Sequence, residues 1–326
     1  MAADHTVPGA HREHGEHKHK PAEPIIIAIE PFGGSIRNHR PQLPLIYWDD
    51  AAVTRGDGIF ETFLLHNGKL CNFERHSARF QSSAALLDLP EPHLADWVRA
   101  TELAAQQWQE QWLRRKASGA DSRTQCPDAR CVWTYTRGRE STGQPSAWLS
   151  LTEVSSTITQ QRKHGVKAMT AARGYRMSAT EEETPMPSWL AVGAKTLNYA
   201  ANMAALRYAK NHGFDDVIYV EGEKILEGAT SNVVLVRGDK IRTPIPGGDI
   251  LAGTAQAALF DYASTRGWRC KAKDLYLEDL YRADSVWLLS SVRMGVRVRK
   301  INDMKLARPD NEQDIQSLIV SALSQP

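Results

Sequence analysis

The sequence is organised around one segment, which reads Gly193-Ala194-Lys195-Thr196-Leu197-Asn198-Tyr199. Its lysine stands where an irregular part of the chain enters a predicted helix over residues 197–211, which Gly213 ends. A lysine at a helix start is ordinarily exposed, and it becomes a useful nucleophile only when its surroundings fix its position. The interpretation of Lys195 therefore depends on the segments around it.

Two later segments supply groups that suit a flat, phosphorylated ring. The first reads Leu226-Glu227-Gly228-Ala229-Thr230-Ser231-Asn232 and lies between two predicted strands. A carboxylate such as Glu227 beside a pyridine nitrogen keeps that nitrogen protonated, although a solvated turn residue is the alternative. The second, Leu251-Ala252-Gly253-Thr254-Ala255, enters a predicted helix, whose free N–H groups make a seat for phosphate. Glycine is common before helices, so neither segment is specific alone.

Two arginines add candidate anion contacts. Arg79 lies on a predicted helix over residues 74–87. It either donates two hydrogen bonds to the same phosphate or is an exposed arginine on the surface of an amphipathic helix. Ser290-Ser291 close an apolar strand, which is a usual place for binding groups in open sheets. Arg293 follows them and either holds a substrate carboxylate or faces solvent.

Length and composition limit the possible classes of protein. The 326 residues fit two domains, and the net charge of +2 gives no basic field for nucleic acid. No apolar run reaches the roughly 20 residues of a membrane span, and a signal peptide is not apparent. The four cysteines form no C-x-x-C pair and are expected to be free thiols. We expect a cytoplasmic protein with a small-molecule substrate and neither nucleic acid nor membrane as partner.

Composition along the chain predicts a tail followed by two domains. Residues 1–23 are polar and are expected to stay solvated, although metal collection is an alternative for their histidines. These histidines are His5, His11, His14, His17 and His19. Because nothing downstream completes a coordination site, no metal site is predicted. Residues 24–154 are predicted to form a small N-terminal α/β domain, residues 155–162 a Ser/Thr/Gln-rich linker, and residues 163–326 a larger C-terminal domain.

Hydrophobic periodicity predicts strands and helices in both domains. Predicted strands cover 25–29, 58–65, 131–136, 147–151, 166–170, 217–220, 232–236, a short segment near Trp268, and 285–289. Predicted helices cover 74–87, 93–117, 197–211, 254–266 and a short C-terminal segment. A hairpin turn is predicted at His66-Asn67-Gly68-Lys69, and an acidic, Pro-broken loop at 181–187.

Taken together, the motifs resemble the class IV family of pyridoxal-phosphate aminotransferases, over about residues 48–303. That family includes branched-chain and D-amino acid aminotransferases and 4-amino-4-deoxychorismate lyase. Besides the three segments quoted above, the resemblance rests on Arg55-Gly56-Asp57-Gly58-Ile59-Phe60-Glu61-Thr62 and Arg75-His76-Ser77-Ala78-Arg79-Phe80. It implies fold type IV: a small N-terminal α/β domain, a larger C-terminal domain with a mixed sheet or pseudo-barrel, and a homodimer with the active site between domains.

The resemblance also implies a role for each quoted residue. Lys195 would hold pyridoxal 5'-phosphate covalently and move the substrate proton, and Glu227 would pair with the pyridine nitrogen. Tyr199 resembles the tyrosine that bonds the ring oxygen. The phosphate would be held by Arg79, Ser291 and the amides of Thr254 and Ala255. The remaining residues expected around the cofactor are Thr230, Ser231, Asn232 and Gly253.

Subfamily features favour a lyase. The Lys-x-Leu-Asn spacing and the segment from Arg55 to Thr62 are similar to lyases and D-amino acid enzymes, and the run Leu288 to Arg293 resembles aminodeoxychorismate lyases. The expected reaction removes pyruvate from 4-amino-4-deoxychorismate and leaves 4-aminobenzoate for folate synthesis. The alternative is an aminotransferase for D-amino or branched-chain amino acids with 2-oxoglutarate or pyruvate. Candidates for binding the substrate carboxylate are Arg137, Arg139 and Arg293.

Overall fold

Two β-sheets dominate the computed structural model, which describes residues 21–174, 191–248 and 250–325. The polar segment 1–20 and the acidic loop predicted at 181–187 lie outside the described residues. The N-terminal sheet contains β1 (Ile25–Ile29), β2 (Ile36–His39), β3 (Gly58–His66), β4 (Lys69–Leu70), β5 (Ala129–Thr136) and β6 (Ser146–Glu153). It is accompanied by the helices α1 (Ala51–Arg55), α2 (Phe73–Leu86) and α3 (Leu94–Ala117).

The N-terminal sheet is antiparallel, with the strand order β2-β1-β6-β5-β3-β4. Strand β5 shows how its two faces differ. Its residues Cys131, Trp133 and Tyr135 are buried, and the Trp133 ring meets those of Phe80 on α2 and Trp97 on α3. Full burial of one such side chain contributes about 1.5–3 kcal/mol to folding. The helices therefore cover one face of the sheet and leave the opposite face for the rest of the chain.

The segment predicted as a linker is largely helical. Helix α4 (Ser156–His164) connects the two sheets, and the Ser155 side chain caps it by accepting a hydrogen bond from the Ile158 amide at 3.4 Å. Basic residues in its last turn interact favourably with the negative C-terminal end of the helix dipole. None of its residues is fully buried, which is why the polar composition suggested a linker without a helix.

The C-terminal sheet is mixed. Its strands are β7 (Val166–Ala172), β8 (Asp216–Glu221), β9 (Lys224–Gly228), β10 (Asn232–Arg237), β11 (Lys240–Thr243), β12 (Arg269–Ala272), β13 (Ser285–Ser290), β14 (Met294–Ile301) and β15 (Met304–Lys305). The order is β12-β11-β10-β13-β14-β7-β8-β9, with β15 paired to β14. Parallel pairs join β7 to β8 and to β14, and β11 to β12. The helices are α5 (Ala200–Asn211), α6 (Thr254–Ser264), α7 (Leu277–Arg282) and α8 (Glu312–Leu323).

One hydrophobic cluster joins the two sheets. Leu64 of β3 and the adjacent Cys71 are buried together with Val234 and Leu289 of the C-terminal sheet and with residues of α6 and α8. Because this packing holds β3 against the second half of the chain, the uncovered face of the N-terminal sheet lies next to the C-terminal sheet. The candidate site occupies the space between them.

The Lys195 segment is attached to the edge of β3. Strand β4 pairs only with the far end of β3, so the near end bonds this segment instead: the Phe60 amide donates to the Lys195 carbonyl at 3.0 Å, and the Leu197 amide to the Gly58 carbonyl at 2.9 Å. A Cβ at Gly58 would lie 2.8 Å from the Leu197 side chain. The helix predicted from residue 197 therefore begins only at Ala200, because Thr196 forms a bridge with Ile59 and the Leu197 amide is bonded to Gly58.

The described helices do not meet the requirements of a membrane span. Within the described ranges, no helix combines the length and the apolar character that a bilayer span requires.

Candidate active site

A cavity of about 560 Å³ lies between the two sheets. It is lined by all eleven residues that the sequence predicted around the cofactor. They are Arg79, Lys195, Tyr199, Glu227, Thr230, Ser231, Asn232, Gly253, Thr254, Ala255 and Ser291. These residues come from five separate parts of the chain, so the fold brings the predicted set together at one place.

The Lys195 side chain is oriented by three neighbours. Its Nζ donates a hydrogen bond to the Tyr199 hydroxyl at 2.8 Å and lies 4.2 Å from the centre of the Phe60 ring. The Tyr199 ring meets Phe60 edge-on, with 5.0 Å between centroids. The Lys195 backbone amide donates to Ser83 Oγ at 3.0 Å. Both ends of this lysine are thus fixed, which is the condition for a reactive amine.

The segment from Glu227 to Asn232 forms a tight turn in the wall of the same cavity. The Gly228 amide donates to the Ser231 carbonyl at 2.7 Å, and a Cβ at Gly228 would lie 2.3 Å from Ser231 Oγ. Glu227 Oε2 accepts from the Leu251 amide at 3.2 Å, which fixes the carboxylate at the cavity wall. Ser231 Oγ is buried and has no hydrogen-bond partner among the described residues. A buried hydroxyl of this kind calls for a polar ligand.

The N-terminus of α6 provides a seat for an anion. Its N-cap is Gly253, no side chain caps it, and Gly253, Thr254 and Ala255 face the cavity. A Cβ at Gly253 would lie 1.6 Å from Asn232 Oδ1, so only glycine allows this approach. Free N–H groups and the helix dipole together favour a phosphate at such a position.

A buried ion network supports this seat from the N-terminal sheet. Glu61 accepts hydrogen bonds from Arg79 Nη2 at 2.7 Å and from His76 Nδ1 at 2.7 Å. His76 Nε2 lies 3.2 Å from the hydroxyls of both Thr254 and Ser291. Arg79 also donates to the Ala252 carbonyl at 2.8 Å. One network therefore connects β3, α2, the start of α6 and the end of β13.

Burial and charge set the protonation states in this network. Burial alone would raise the pKa of Glu61, but the Arg79 charge and the His76 hydrogen bond hold that pKa below its ordinary value. For His76 burial is the largest effect and lowers its pKa, although the hydrogen bond to Glu61 opposes it. Glu61 is therefore ionised and His76 neutral, with Nε2 as the acceptor that faces the two hydroxyls.

Three site residues were missed in the sequence although they lie in or beside the quoted motifs. Glu61, His76 and Ser83 all have side chains aimed at the site. His76, Arg79 and Ser83 recur at intervals of three and four on α2, which places them on one face of the helix. That helical spacing, together with polar residues on a buried face, is the signal that identifies them.

The three arginines predicted for the substrate carboxylate each pair with an aspartate. Arg137 and Arg139 are not among the described residues that line the cavity: Arg137 Nε pairs with Asp57 at 2.6 Å, and Arg139 Nε with Asp49 at 3.0 Å. Arg293 lines the cavity, but its Nη2 lies 2.6 Å from Asp216 Oδ2, which is fully buried. Sequence proximity to the motif suggested these residues, whereas aspartates distant in sequence fix where they point.

Comparisons with known proteins agree with this site. The family model described as amino-transferase class IV matches residues 58–301, and the chain belongs to that family. A bifunctional aminodeoxychorismate lyase / D-amino acid transaminase from Mycobacterium tuberculosis is 38% identical over 87% of this chain and 95% of that protein. The enzyme is therefore a class IV aminotransferase relative that depends on pyridoxal 5'-phosphate.

Solved structures show the same architecture. A hypothetical aminotransferase from M. tuberculosis in a PLP-bound form has a TM-score of 0.81 and 34% identity, covering 92% of this chain and 98% of that one. The same description applies to a form with α-ketoglutarate and PMP bound, with a TM-score of 0.80 and 35% identity over 91% and 99%. A fold IV transaminase from Curtobacterium pusillum has a TM-score of 0.77 and 32% identity over 92% and 98%. The fold is type IV, as the sequence predicted.

The residues present fit the cofactor. The fixed amine of Lys195, the carboxylate of Glu227, the helix start at Gly253 and the Ser231 hydroxyl, which has no partner among the described residues, together supply a group for each polar part of pyridoxal phosphate. Its aldehyde needs an amine, its ring nitrogen a carboxylate and its phosphate a set of N–H and O–H donors.

Proposed function

We propose that this enzyme is a 4-amino-4-deoxychorismate lyase, which removes pyruvate from its substrate and leaves 4-aminobenzoate for folate synthesis. The observation that carries the proposal is the 38% identity to the bifunctional M. tuberculosis protein across 95% of its length. The lyase-like run that ends at Arg293 also lines the cavity from Leu289 onward. A volume of about 560 Å³ is in the range of sites that enclose a cofactor and a cyclic substrate.

Lys195 is the proton carrier in this reaction. When bound, pyridoxal phosphate supplies an aldehyde that condenses with amines and a ring that accepts electrons. Lys195 Nζ takes the proton from the substrate carbon that bears the amino group. The Tyr199 hydroxyl, 2.8 Å from Nζ, keeps the amine in position between proton transfers. Glu227 would pair with the pyridine nitrogen, and Arg79, Thr254 and Ser291 would hold the phosphate.

The lyase reaction balances without a second substrate. The carbon–oxygen bond to the enolpyruvyl group breaks with its electrons on oxygen, and the leaving group takes up one proton to become pyruvate. The ring loses one proton as it becomes aromatic. Lys195 removes one proton and returns one, so no keto acid, oxidant or reductant is consumed. Aromatisation supplies the driving force.

Transamination of D-amino acids is the second candidate. It is favoured by the second activity in the name of the M. tuberculosis relative and by the structure of an M. tuberculosis aminotransferase with α-ketoglutarate and PMP. In this reaction Lys195 Nζ would take the proton from the substrate Cα and hold it for the return step. The residues that hold the cofactor keep the same roles, so one site serves both reactions.

The proposal includes a homodimer in the cytoplasm. Residues 24–154 and 163–326 are its two domains, a division supported by the separate sheets that α4 connects. The resemblance to class IV enzymes supports the dimer. Light scattering on a size-exclusion column tests it, since twice the chain mass of 36.3 kDa is expected.

The deciding experiment supplies the purified holoenzyme with aminodeoxychorismate and no keto acid. Release of 4-aminobenzoate with an equal amount of pyruvate is the expected result. No release, together with amino transfer from D-alanine to 2-oxoglutarate, would overturn the lyase and establish the second candidate.

A further inference from the structure

Four cationic side chains line the cavity, and one of them stands apart. Arg79 is paired with Glu61, Arg293 with Asp216, and Lys195 donates to Tyr199. Arg130 also lines the cavity, yet within the described parts of the chain it has no carboxylate or other hydrogen-bond partner. An arginine that faces a binding cavity with all its donors unused is suited to a ligand carboxylate.

The position of Arg130 follows from the register of β5. Because side chains alternate along a strand, Arg130 shares a face with Val132 and Thr134, opposite the buried face that packs on the helices. Val132 lines the cavity as well, together with Thr62 and Ser150, its partners on the two neighbouring strands. The cavity wall next to Arg130 therefore consists of one apolar and two small polar side chains.

Register also gives the distance along β5 between Arg130 and the residue next to which the Lys195 segment is attached. The Lys195 segment bonds β3 at Phe60, and Phe60 is paired with Thr134 of β5. Arg130 lies four residues further along β5, opposite Leu64, which corresponds to about 13 Å along the strand. Arg130 is thus remote from the bond-making position and lies at the far end of the same cavity.

We propose that Arg130 binds a substrate carboxylate that is remote from the reacting amino group. This inference deepens the proposed function and rests on it. In 4-amino-4-deoxychorismate the ring carboxylate lies across the ring from the amino carbon, and in 2-oxoglutarate a second carboxylate lies at the far end. D-Alanine has only the carboxylate next to its amino group. Arg130 accordingly selects substrates with a distant negative charge.

The test compares binding of non-reacting probes to the holoenzyme by calorimetry. Glutarate carries a distant carboxylate and butyrate lacks it, while 4-hydroxybenzoate and phenol form the equivalent ring pair without an amine that could condense with the cofactor. Arg130→Gln is expected to weaken glutarate and 4-hydroxybenzoate about tenfold and to leave butyrate and phenol unchanged. Arg130→Lys is expected to retain part of the preference, and Arg37→Gln, on the exposed edge strand β2, all of it.

The outcomes separate this inference from the proposed function. Equal weakening of glutarate and butyrate, or no weakening of either, would overturn the role of Arg130. A lost glutarate preference in an enzyme that releases no 4-aminobenzoate would support Arg130 and reject the lyase. An unchanged melting temperature for Arg130→Gln is expected because the side chain is exposed, and it shows that a lost preference does not reflect misfolding.

Discussion

His76 and Glu61 form a hydrogen-bonded pair, 2.7 Å from Nδ1 to Oε2, in which each side chain is only 1% exposed. Neither residue is expected to touch the substrate. Glu61 holds Arg79, and His76 faces the hydroxyls of Thr254 and Ser291, so the pair joins the two sheets beneath the predicted phosphate seat. A buried pair of this kind makes the seat depend on correct packing between the sheets.

Removal of the Glu61 charge is expected to destabilise the protein. Glu61→Gln leaves Arg79, with 13% of its side chain exposed, without its counter-charge, and the loss should be about 3 kcal/mol. Urea unfolding of the cofactor-free protein measures it. Glu61→Gln combined with Arg79→Met should recover part of the loss, and Glu74→Gln, exposed on the same helix, should change stability by less than about 0.5 kcal/mol. Additive losses in the double variant would argue against the pairing.

The neutral state of His76 predicts a pH dependence of stability. Its pKa is lowered by burial, so below about pH 6.5 the unfolded chain binds a proton that the folded chain does not. Stability therefore decreases as pH falls through this range, by up to about 1.4 kcal/mol per pH unit for one group. Glu61, whose pKa is also lowered, adds a loss only at lower pH. Urea midpoints for wild type and His76→Asn between pH 5 and 8 should differ in slope, and parallel curves would contradict a neutral His76.

Lys195 is expected to be the site of covalent cofactor attachment. Borohydride reduction of the holoenzyme should add the cofactor mass to the peptide that contains Lys195, as mass spectrometry detects. Lys195→Ala should lose this label and all turnover, yet still bind the cofactor weakly, since the phosphate seat does not involve this side chain. The exposed Lys210→Ala on α5 is the matched control and should keep both. A label on Lys195→Ala would place the attachment elsewhere.

Gly253 is predicted to tolerate no side chain. Gly253→Ala places a Cβ 1.6 Å from Asn232 Oδ1, so the start of α6 must move and cofactor affinity should fall at least tenfold. Fluorescence titration of the cofactor-free protein measures this affinity. Asn232→Ala removes the clashing atoms, so the double variant should bind more tightly than Gly253→Ala alone. If the double variant is no better, the clash is not the cause.

The residues predicted to hold the cofactor line one cavity, because most of them lie in short local motifs. Glu227 to Asn232 form one turn and Gly253 to Ala255 one helix start, so neighbouring residues determine their geometry. Lys195 was predicted for the same reason, but its helix was placed three residues too early. The later start of the helix follows from the bond between the Leu197 amide and the Gly58 carbonyl, a contact between parts of the chain that are distant in sequence.

Proximity in sequence did not determine which arginines line the cavity. Arg137 and Arg139 lie beside a family motif, yet they pair with Asp57 and Asp49 and are not among the described residues that line the cavity. Arg130 belongs to none of the motifs in the sequence. Its position in the cavity depends on the register of β5, and its availability depends on the lack of a partner among the described residues. Which arginine is available is a property of the assembled fold.

The bond between the Lys195 segment and β3 has a mechanical consequence. The amine is tethered to the N-terminal sheet through Gly58 and Phe60, whereas Glu227 and the start of α6 belong to the C-terminal half. The two groups of residues predicted to bind the cofactor thus belong to different sheets, and Leu64 packs in the hydrophobic cluster that joins those sheets. A substitution of Leu64 would therefore change the reactivity of the enzyme as well as its stability. A shift of one sheet against the other would alter the position of Lys195 relative to Glu227 and the start of α6.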